Sequence, residues 1–227
     1  MSVVPEATRK LYSYWRSSAA YRVRIALNLK GLPYAVLPVH LVNNGGEQHR
    51  SEFHAVNPQE LVPVLVDGTY ALRQSIAIIE YLDEAYPGGA RLLPAEPLAR
   101  ARVRALALAI ACDVHPMNNT RALQYLEREL HVTEGDRERW TRHWIALGFA
   151  ALEELLAPDP ATGRFSHGDA PGMADALLVP QLYNARRWSL DLAPYPTLCR
   201  IEAKCAALDA FERARPENQV DAPKSES

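Results

Sequence analysis

Three shortages in this chain of 227 residues each close off a class of function. Cysteine is scarce: Cys112, Cys199 and Cys205 are an odd number in no metal-ligand spacing, so reduced and mostly buried thiols are expected rather than a disulfide framework or a zinc site. Net charge is scarce too. With 25 Lys and Arg against 27 Asp and Glu the balance is -2, and a chain without basic excess has nothing to spread along a phosphate backbone, so nucleic acid is not an expected partner. Long apolar runs are the third lack. None approaches bilayer-spanning length, and the first residues lack the charged start, apolar core and small-residue cleavage site of a secretory signal; no membrane partner and a cytoplasmic location are expected. What remains, 48% hydrophobic and 23% charged residues, is the composition of a soluble globular protein long enough for two small domains.

The first ninety residues alternate in character. Residues 9 to 14 read as a strand on Leu11, Tyr12 and Tyr14. Ser17 or Ser18 is placed to cap a helix from Tyr21 to Lys30, in which Val23, Ile25, Ala26, Leu27 and Leu29 are apolar and which Gly31 and Pro33 end. A second strand, Tyr34 to Leu41, alternates Val36 and Val39 with smaller or polar neighbours until Gly45-Gly46. Val62 to Val66 and Thr69 to Leu72 then flank Asp67-Gly68, a dipeptide that favours a tight hairpin. Pro63 stands where a strand tolerates proline, at its start, and is a candidate for a cis bond. A helix follows from Ser75, capped by its own hydroxyl, through Ile76, Ile79 and Leu82 to Pro87.

Beyond that point strands stop. The stretch 87–97, "PGGARLLPAEP", reads as a linker. From Leu98 to about Arg215 the periodicity is helical: Val103, Leu106, Ala107, Ile110 and Val114 form one stripe, and Trp140, Trp144, Leu147 and Ala151 another. Pro116 in "DVHPMNNTR" should bend its helix and remove a backbone bond, while His115 and Asn119, four apart, share a face with Asn118 and Arg121 close by. So polar a group costs too much to bury unpaired and is expected to line a wet cleft. The last twelve residues, "PENQVDAPKSES", are expected to be disordered.

The segment "RSSAAYRVR" holds two hydroxyls and three guanidiniums but no cysteine, histidine or carboxylate. It sits in "SYWRSSAAYRVRIALNLKG", which resembles the zeta-class signature of the glutathione transferase superfamily, Ser-Ser-Cys followed by Trp or Tyr and Arg-Val-Arg-Ile-Ala-Leu. The segments "NPQELVPVL", "QSIAIIEYLDE", "DVHPMNNTRAL" and "LVPQLYNARRWSLDLAPYPTL" extend the resemblance over nearly the whole span from Leu11 to Phe211. It implies an α/β plus all-α fold: a thioredoxin-like glutathione-binding domain at 8–87, a linker at 88–97, an all-helical substrate-binding domain at 98–215 and a disordered tail at 216–227. It also implies a homodimer, glutathione as a cosubstrate regenerated in each turnover, and no metal. The implied activity is glutathione-dependent cis-trans isomerisation of a dianionic cis-enedione, maleylacetoacetate to fumarylacetoacetate in tyrosine and phenylalanine breakdown. Maleylpyruvate isomerisation in gentisate breakdown, or conjugation of glutathione to halo-acids or aromatic electrophiles, are the alternatives.

Under this resemblance the reacting group is the thiol of bound glutathione, and the protein has only to bind the tripeptide and favour its thiolate. The family's cysteine position is Ala19. Ser17 and Ser18 stand at a helix start, where free N–H groups and the helix dipole favour an anion; the resemblance gives Ser17 the bond to sulfur, Ser18 an auxiliary one, and Arg16 a place in the same catalytic group. Gln74 and Ser75 are implied at the γ-glutamyl carboxylate, Val62 at the cysteinyl backbone, Gln48 at the glycine end, and His115 and Asn119 as further glutathione contacts. Arg16, Arg121 and Arg187 are the implied substrate anchors, since guanidinium grips carboxylates in a two-pronged geometry and stays charged. Arg22 and Arg24 are assigned instead to an internal ion pair or a solvated face. Asp175 reads as structural, in a capping box whose family threonine is Gly172. Trp15, Trp140, Trp144 and Trp188 read mainly as packing, with Trp15 and Trp188 next to the implied anchors and so able to wall the pocket as well.

Overall fold

The computed structural model describes residues 9–223. It divides into two compact units: residues to Leu92 together with those from Leu208 onward, and Leu93–Ala207. Residue 8 and residues 224–227 of the expected domain and tail lie outside the described residues.

The first unit is built on a mixed four-stranded sheet of order β2-β1-β3-β4. Strand β1 (Arg9–Ser13) leads into helix α1 (Ser18–Leu29), and β2 (Ala35–Pro38) returns parallel to β1, with Leu11 opposite Val36. Two short 3-10 turns (Asn43–Gly45 and Glu47–His49) and helix α2 (Ser51–Val56) follow; the hairpin β3 (Val64–Asp67) and β4 (Tyr70–Arg73) then runs antiparallel against β1 and ends in helix α3 (Ser75–Ala85). Turning at Asp67-Gly68 requires a left-handed residue, and Gly68 supplies it with φ of 59°. The Val62-Pro63 bond is cis, as the position of the proline suggested.

Helix α1 packs against α3 on one side and against the short helix at Asp209–Glu212 on another, which is why its buried residues run almost continuously from Ala20 to Leu27 rather than along one stripe. Arg22 and Arg24 belong to that buried surface at 2% and 0% exposure, so the solvated-face reading of these two arginines is wrong. A second apolar cluster, Tyr14, Val39, Phe53, Val62 and Val64, packs with Tyr12 and Trp15. Tyr12 meets the Phe53 ring edge-on at 5.6 Å.

The second unit is helical, and no strand occurs in it among the described residues. Helix α4 (Pro97–Leu108) buries Val103, Leu106 and Ala107 as its periodicity indicates. The bend expected at Pro116 is a break: a π-turn (Ala109–Val114) and a 3-10 turn (His115–Asn118) end the helix, and α5 (Thr120–Arg128) starts anew with Asn119 as its cap. Helix α6 (Glu134–Leu156) buries Thr141, Ile145, Phe149, Leu152 and Leu156, whereas Leu147 and Ala151 of the expected stripe face water. Thr141 concealed the true stripe. Its hydroxyl donates to the Arg137 carbonyl at 2.9 Å, which lets a polar residue lie in an apolar row. Helix α7 (Met173–Arg187) is buried along most of its length and packs on α4 and α8 (Pro196–Ala206). Asp175 is structural, as expected: its two oxygens accept N–H bonds from Ser166 and Gly172, both at 2.8 Å, while burial pushes the carboxyl pKa up against those bonds.

Two further expectations fail. Cys112 is exposed and Cys199 half-buried; of the three free thiols only Cys205 is buried, and burial raises its pKa. The chain from Leu208 to the tail does not belong to the helical unit but groups with the sheet, through helix α9 (Asp209–Glu212) and a 3-10 turn (Pro216–Asn218). Residues 216–223 are therefore ordered. Pro216 is buried, and Gln219 donates to the Arg213 and Arg215 carbonyls at 3.0 and 2.7 Å, bonds that composition alone could not reveal.

Candidate functional site

Register places one group of candidates. Tyr12, Val64 and Arg73 lie in a single row across β1, β3 and β4, so the residues just beyond that row share one end of the sheet: Trp15 to Ser18 after β1, Val62 before β3, and Gln74-Ser75 after β4. Two helix N-termini, of α1 and α3, start there. Each leaves backbone N–H groups without intrahelical partners and the positive end of its dipole, so this end of the sheet favours anions.

Ser17 is the N-cap of α1, and its Oγ accepts the Ala20 N–H at 3.2 Å. That bond uses a lone pair and leaves the hydroxyl proton to be donated elsewhere. Ser18 is buried in the first turn, and the Arg16 guanidinium lies 5.5 Å over the Trp15 ring. Ser75 is not the cap of α3. Gln74 takes that position with φ of 69°, and the Ser75 hydroxyl instead accepts a bond from the buried Arg22 guanidinium at 3.3 Å. The Gln74 side chain donates to Gln59 at 3.1 Å. Gln48 is buried in a 3-10 turn, with Nε2 at 3.4 Å from the Leu41 carbonyl. Glu60 ties the nearby loop together, receiving both His49 and His54 at 2.6 and 3.0 Å, and these bonds hold its carboxyl below the ordinary glutamate value.

The helical unit holds the second group. Asn119 caps α5 by accepting the Arg121 N–H at 3.0 Å, and its Nδ2 lies 3.4 Å from His115 Nε2, so these two side chains meet although no continuous helix joins them. The Arg121 side chain is exposed. Arg187 ends α7 and donates to Asn184 Oδ1 at 3.2 Å; Asn184 donates to Asn118 at 2.9 Å, and Asn118 to the Val114 carbonyl of the π-turn at 2.8 Å. A chain of amides thus runs from the interrupted helix to Arg187. Sequence reasoning missed Asn184, whose spacing of three from Arg187 was the available signal. It also missed Arg22 as the partner of Ser75. Among the described residues no cluster of His, Cys, Asp and Glu side chains could hold a metal ion.

The residues at the sheet end suit glutathione. Two helix starts offer N–H groups for a carboxylate and for a thiolate, and a hydroxyl with a free proton stands at one of them. Comparison with known proteins agrees. The family described as "Glutathione S-transferase, N-terminal domain" matches residues 11–90, which defines the class to which the sheet unit belongs. A Vibrio cholerae protein named as a probable maleylacetoacetate isomerase is 56% identical over 93% of this chain and 97% of its own. A solved maleylpyruvate isomerase, described as a bacterial zeta-class glutathione transferase in its holo form, superposes with a TM-score of 0.91 at 51% identity, over 94% of this chain and all of its own. A maleylacetoacetate isomerase from Methylobacterium extorquens, solved with malonate and glutathione, gives 0.91 at 42% identity, over 95% of this chain and all of its own. The chain belongs to the zeta-class glutathione transferase family that contains the maleylacetoacetate isomerases.

Proposed function

We propose that this protein is a glutathione-dependent cis-trans isomerase that converts maleylacetoacetate to fumarylacetoacetate. The observation that carries the reading is the convergence of Ser17, Val62, Gln74 and Ser75 at one end of the sheet, beside two helix N-termini, in a chain of this family. Glutathione, when bound, supplies the thiolate that adds reversibly to the cis double bond. The chain's residues do the rest. The Ser17 hydroxyl donates to the sulfur and, with the α1 terminus, holds it ionised near neutral pH, while Ser18 assists. The α3 terminus, with Gln74 and with Ser75 backed by the Arg22 charge, takes the γ-glutamyl carboxylate; the Val62 backbone pairs with the cysteinyl unit, and Gln48 reaches the glycine end. His115 and Asn119 add contacts to the tripeptide. Arg16, Arg121 and Arg187 grip the substrate carboxylates and hold the negative charge that develops on the enedione oxygen as the double bond becomes single. Ala19 removes a thiol that this chemistry does not need.

Maleylpyruvate isomerisation is the second reading, favoured by the 51% identity to a solved maleylpyruvate isomerase against 42% to a maleylacetoacetate isomerase that superposes equally well. A homodimer in the cytoplasm belongs to both. An absorbance assay with each cis-enedione, with and without glutathione, tests them: turnover of maleylacetoacetate that requires glutathione without consuming it is expected. Faster turnover of maleylpyruvate would select the second reading. Stoichiometric loss of thiol, or equal rates without glutathione, would overturn both.

A further inference from the structure

The turn between β1 and α1 is held from a distant part of the chain. The Trp15 N–H donates to Asp221 Oδ2 at 2.9 Å, across 206 residues of sequence. The Trp15 carbonyl accepts from Arg24 at 3.0 Å, and the same guanidinium reaches Ser13 Oγ at 3.0 Å and the Tyr14 carbonyl at 3.4 Å. Arg24 is in turn fixed by the Ala214 carbonyl, which accepts from its Nε at 3.0 Å. The C-terminal segment thus grips this turn twice, once directly and once through a buried arginine.

The segment is itself anchored. Phe211, Ala214 and Pro216 are buried, Asn28 donates to the Ala210 carbonyl at 2.9 Å, and Asn218 to that of Glu212 at 2.8 Å. Both peptide groups of Trp15 therefore end on charged partners, bonds roughly twice as strong as neutral ones. Ser17 stands two residues further on, and its own N–H donates to Tyr14 O at 2.9 Å inside the same turn. Ser17 thus shares one turn with the peptide groups that residues some two hundred positions later hold.

We propose that residues 208–223 form a strap that sets the β1–α1 turn, and that Asp221 is a positioning residue for Ser17. The proposal rests on the reading of Ser17 as the partner of the glutathione sulfur. A strap that only covered the apolar side of α1 would need the buried Phe211 and Ala214, but it would not need a carboxylate on the Trp15 amide.

The test uses the full chain with Asp221→Ala, Asp221→Asn and, as a control, the exposed Val220→Ser. Three readouts are needed: hydrogen exchange of the Trp15 amide against that of Leu65 in β3, the pH at which the thiol of bound glutathione ionises, followed by ultraviolet absorbance, and isomerase kinetics. Asp221→Ala is expected to speed Trp15 exchange about tenfold or more, as loss of one charged hydrogen bond implies, while Leu65 stays protected. It should also raise the thiol pKa and lower kcat about 10- to 100-fold, with a much smaller change in KM for glutathione. Asp221→Asn keeps an acceptor oxygen and should stay within about threefold of the parent, as should Val220→Ser. Unchanged Trp15 exchange in the alanine variant would overturn the strap. Freed exchange with unchanged thiol ionisation and kcat would overturn the positioning role. If the parent protein isomerised neither substrate, the functional reading would fall, and amide exchange would still decide the strap.

Discussion

Ser17 carries two duties on one oxygen. It caps α1 by accepting from Ala20, and in the proposed chemistry it donates its proton to sulfur. The two can be separated, because aspartate caps a helix about as well as serine but offers no proton and adds negative charge. Ser17→Ala should cost about 1 kcal/mol of stability through the lost cap and lower kcat about 100-fold through the lost donor. Ser17→Asp should retain the parent's urea midpoint, lose more activity than the alanine variant, and raise the ionisation pH of bound glutathione. An aspartate variant as active as the parent would remove Ser17 from the thiolate's partners. The cap was legible from the sequence, since a serine before an apolar helix marks its start, but type and place alone describe an ordinary cap, and the tie to a thiolate came from the family resemblance. Arg22 was not legible, since the side chain that reaches Ser75 crosses 53 residues of sequence and looks like any charge on a helix.

At the scale of elements, the most informative departure is the interrupted helix around Pro116. The sequence shows that a helix must yield at Pro116 but not how; the observed answer is a π-turn and a 3-10 turn whose carbonyls and amides reach Asn118 and, through Asn184, Arg187. Helix α6 approaches that π-turn closely. A Cβ added at Gly148 would overlap the Val114 Cγ2 methyl, and a β-branched valine cannot swing aside. Gly148→Ala should therefore destabilise the protein by about 1–3 kcal/mol despite alanine's better helix propensity. Combining it with Val114→Ala should recover part of that loss, a coupling that urea denaturation of the two single variants and the double variant measures. Strict additivity would show that α6 and the turn do not press on each other in solution. The four strands and helices α1 and α3 of the sheet unit were legible to within about three residues at their ends, because period-two and period-3.6 patterns, Asp67-Gly68 and Gly31 are local signals, whereas the short helices α2 and α9 are too brief to show a period. The stripe of α6 was misread because tryptophans at the wrong phase outshone Thr141, and the tail was misread because an Asp-to-amide bond leaves no trace in composition.

For the whole molecule, the response to acid follows from carboxylates spread over both units. Glu60 and Glu212 in the sheet unit, and Glu96, Asp136 and Asp159 in the helical unit, are each held below their ordinary values, 4.5 for glutamate and 3.8 for aspartate, chiefly by hydrogen bonds. For such groups the unfolded chain binds more protons between the unfolded and folded values, so their stabilisation is complete above the ordinary values and is lost as pH falls through the folded ones. Asp175 has the opposite sign. Burial raises its folded value, so the native state binds the extra proton and this group's contribution declines as pH rises from 3.8 upward. Five against one, with both units represented among the five, predicts that the urea midpoint falls between about pH 5 and pH 3 and that both units weaken over the same range. Trp15 reports on the sheet unit; Trp140, Trp144 and Trp188 report on the other. High salt should diminish only the smaller, through-space share owed to the charges around these carboxylates, such as Arg139 beside Asp136, and should spare what the short hydrogen bonds to Glu60, Glu96 and Asp159 contribute, since screening acts on separated charges rather than on short bonds. A midpoint that rose on acidification would mean that the single buried carboxyl of Asp175 outweighs the five at the surface, and Asp175→Ala would then reverse the slope.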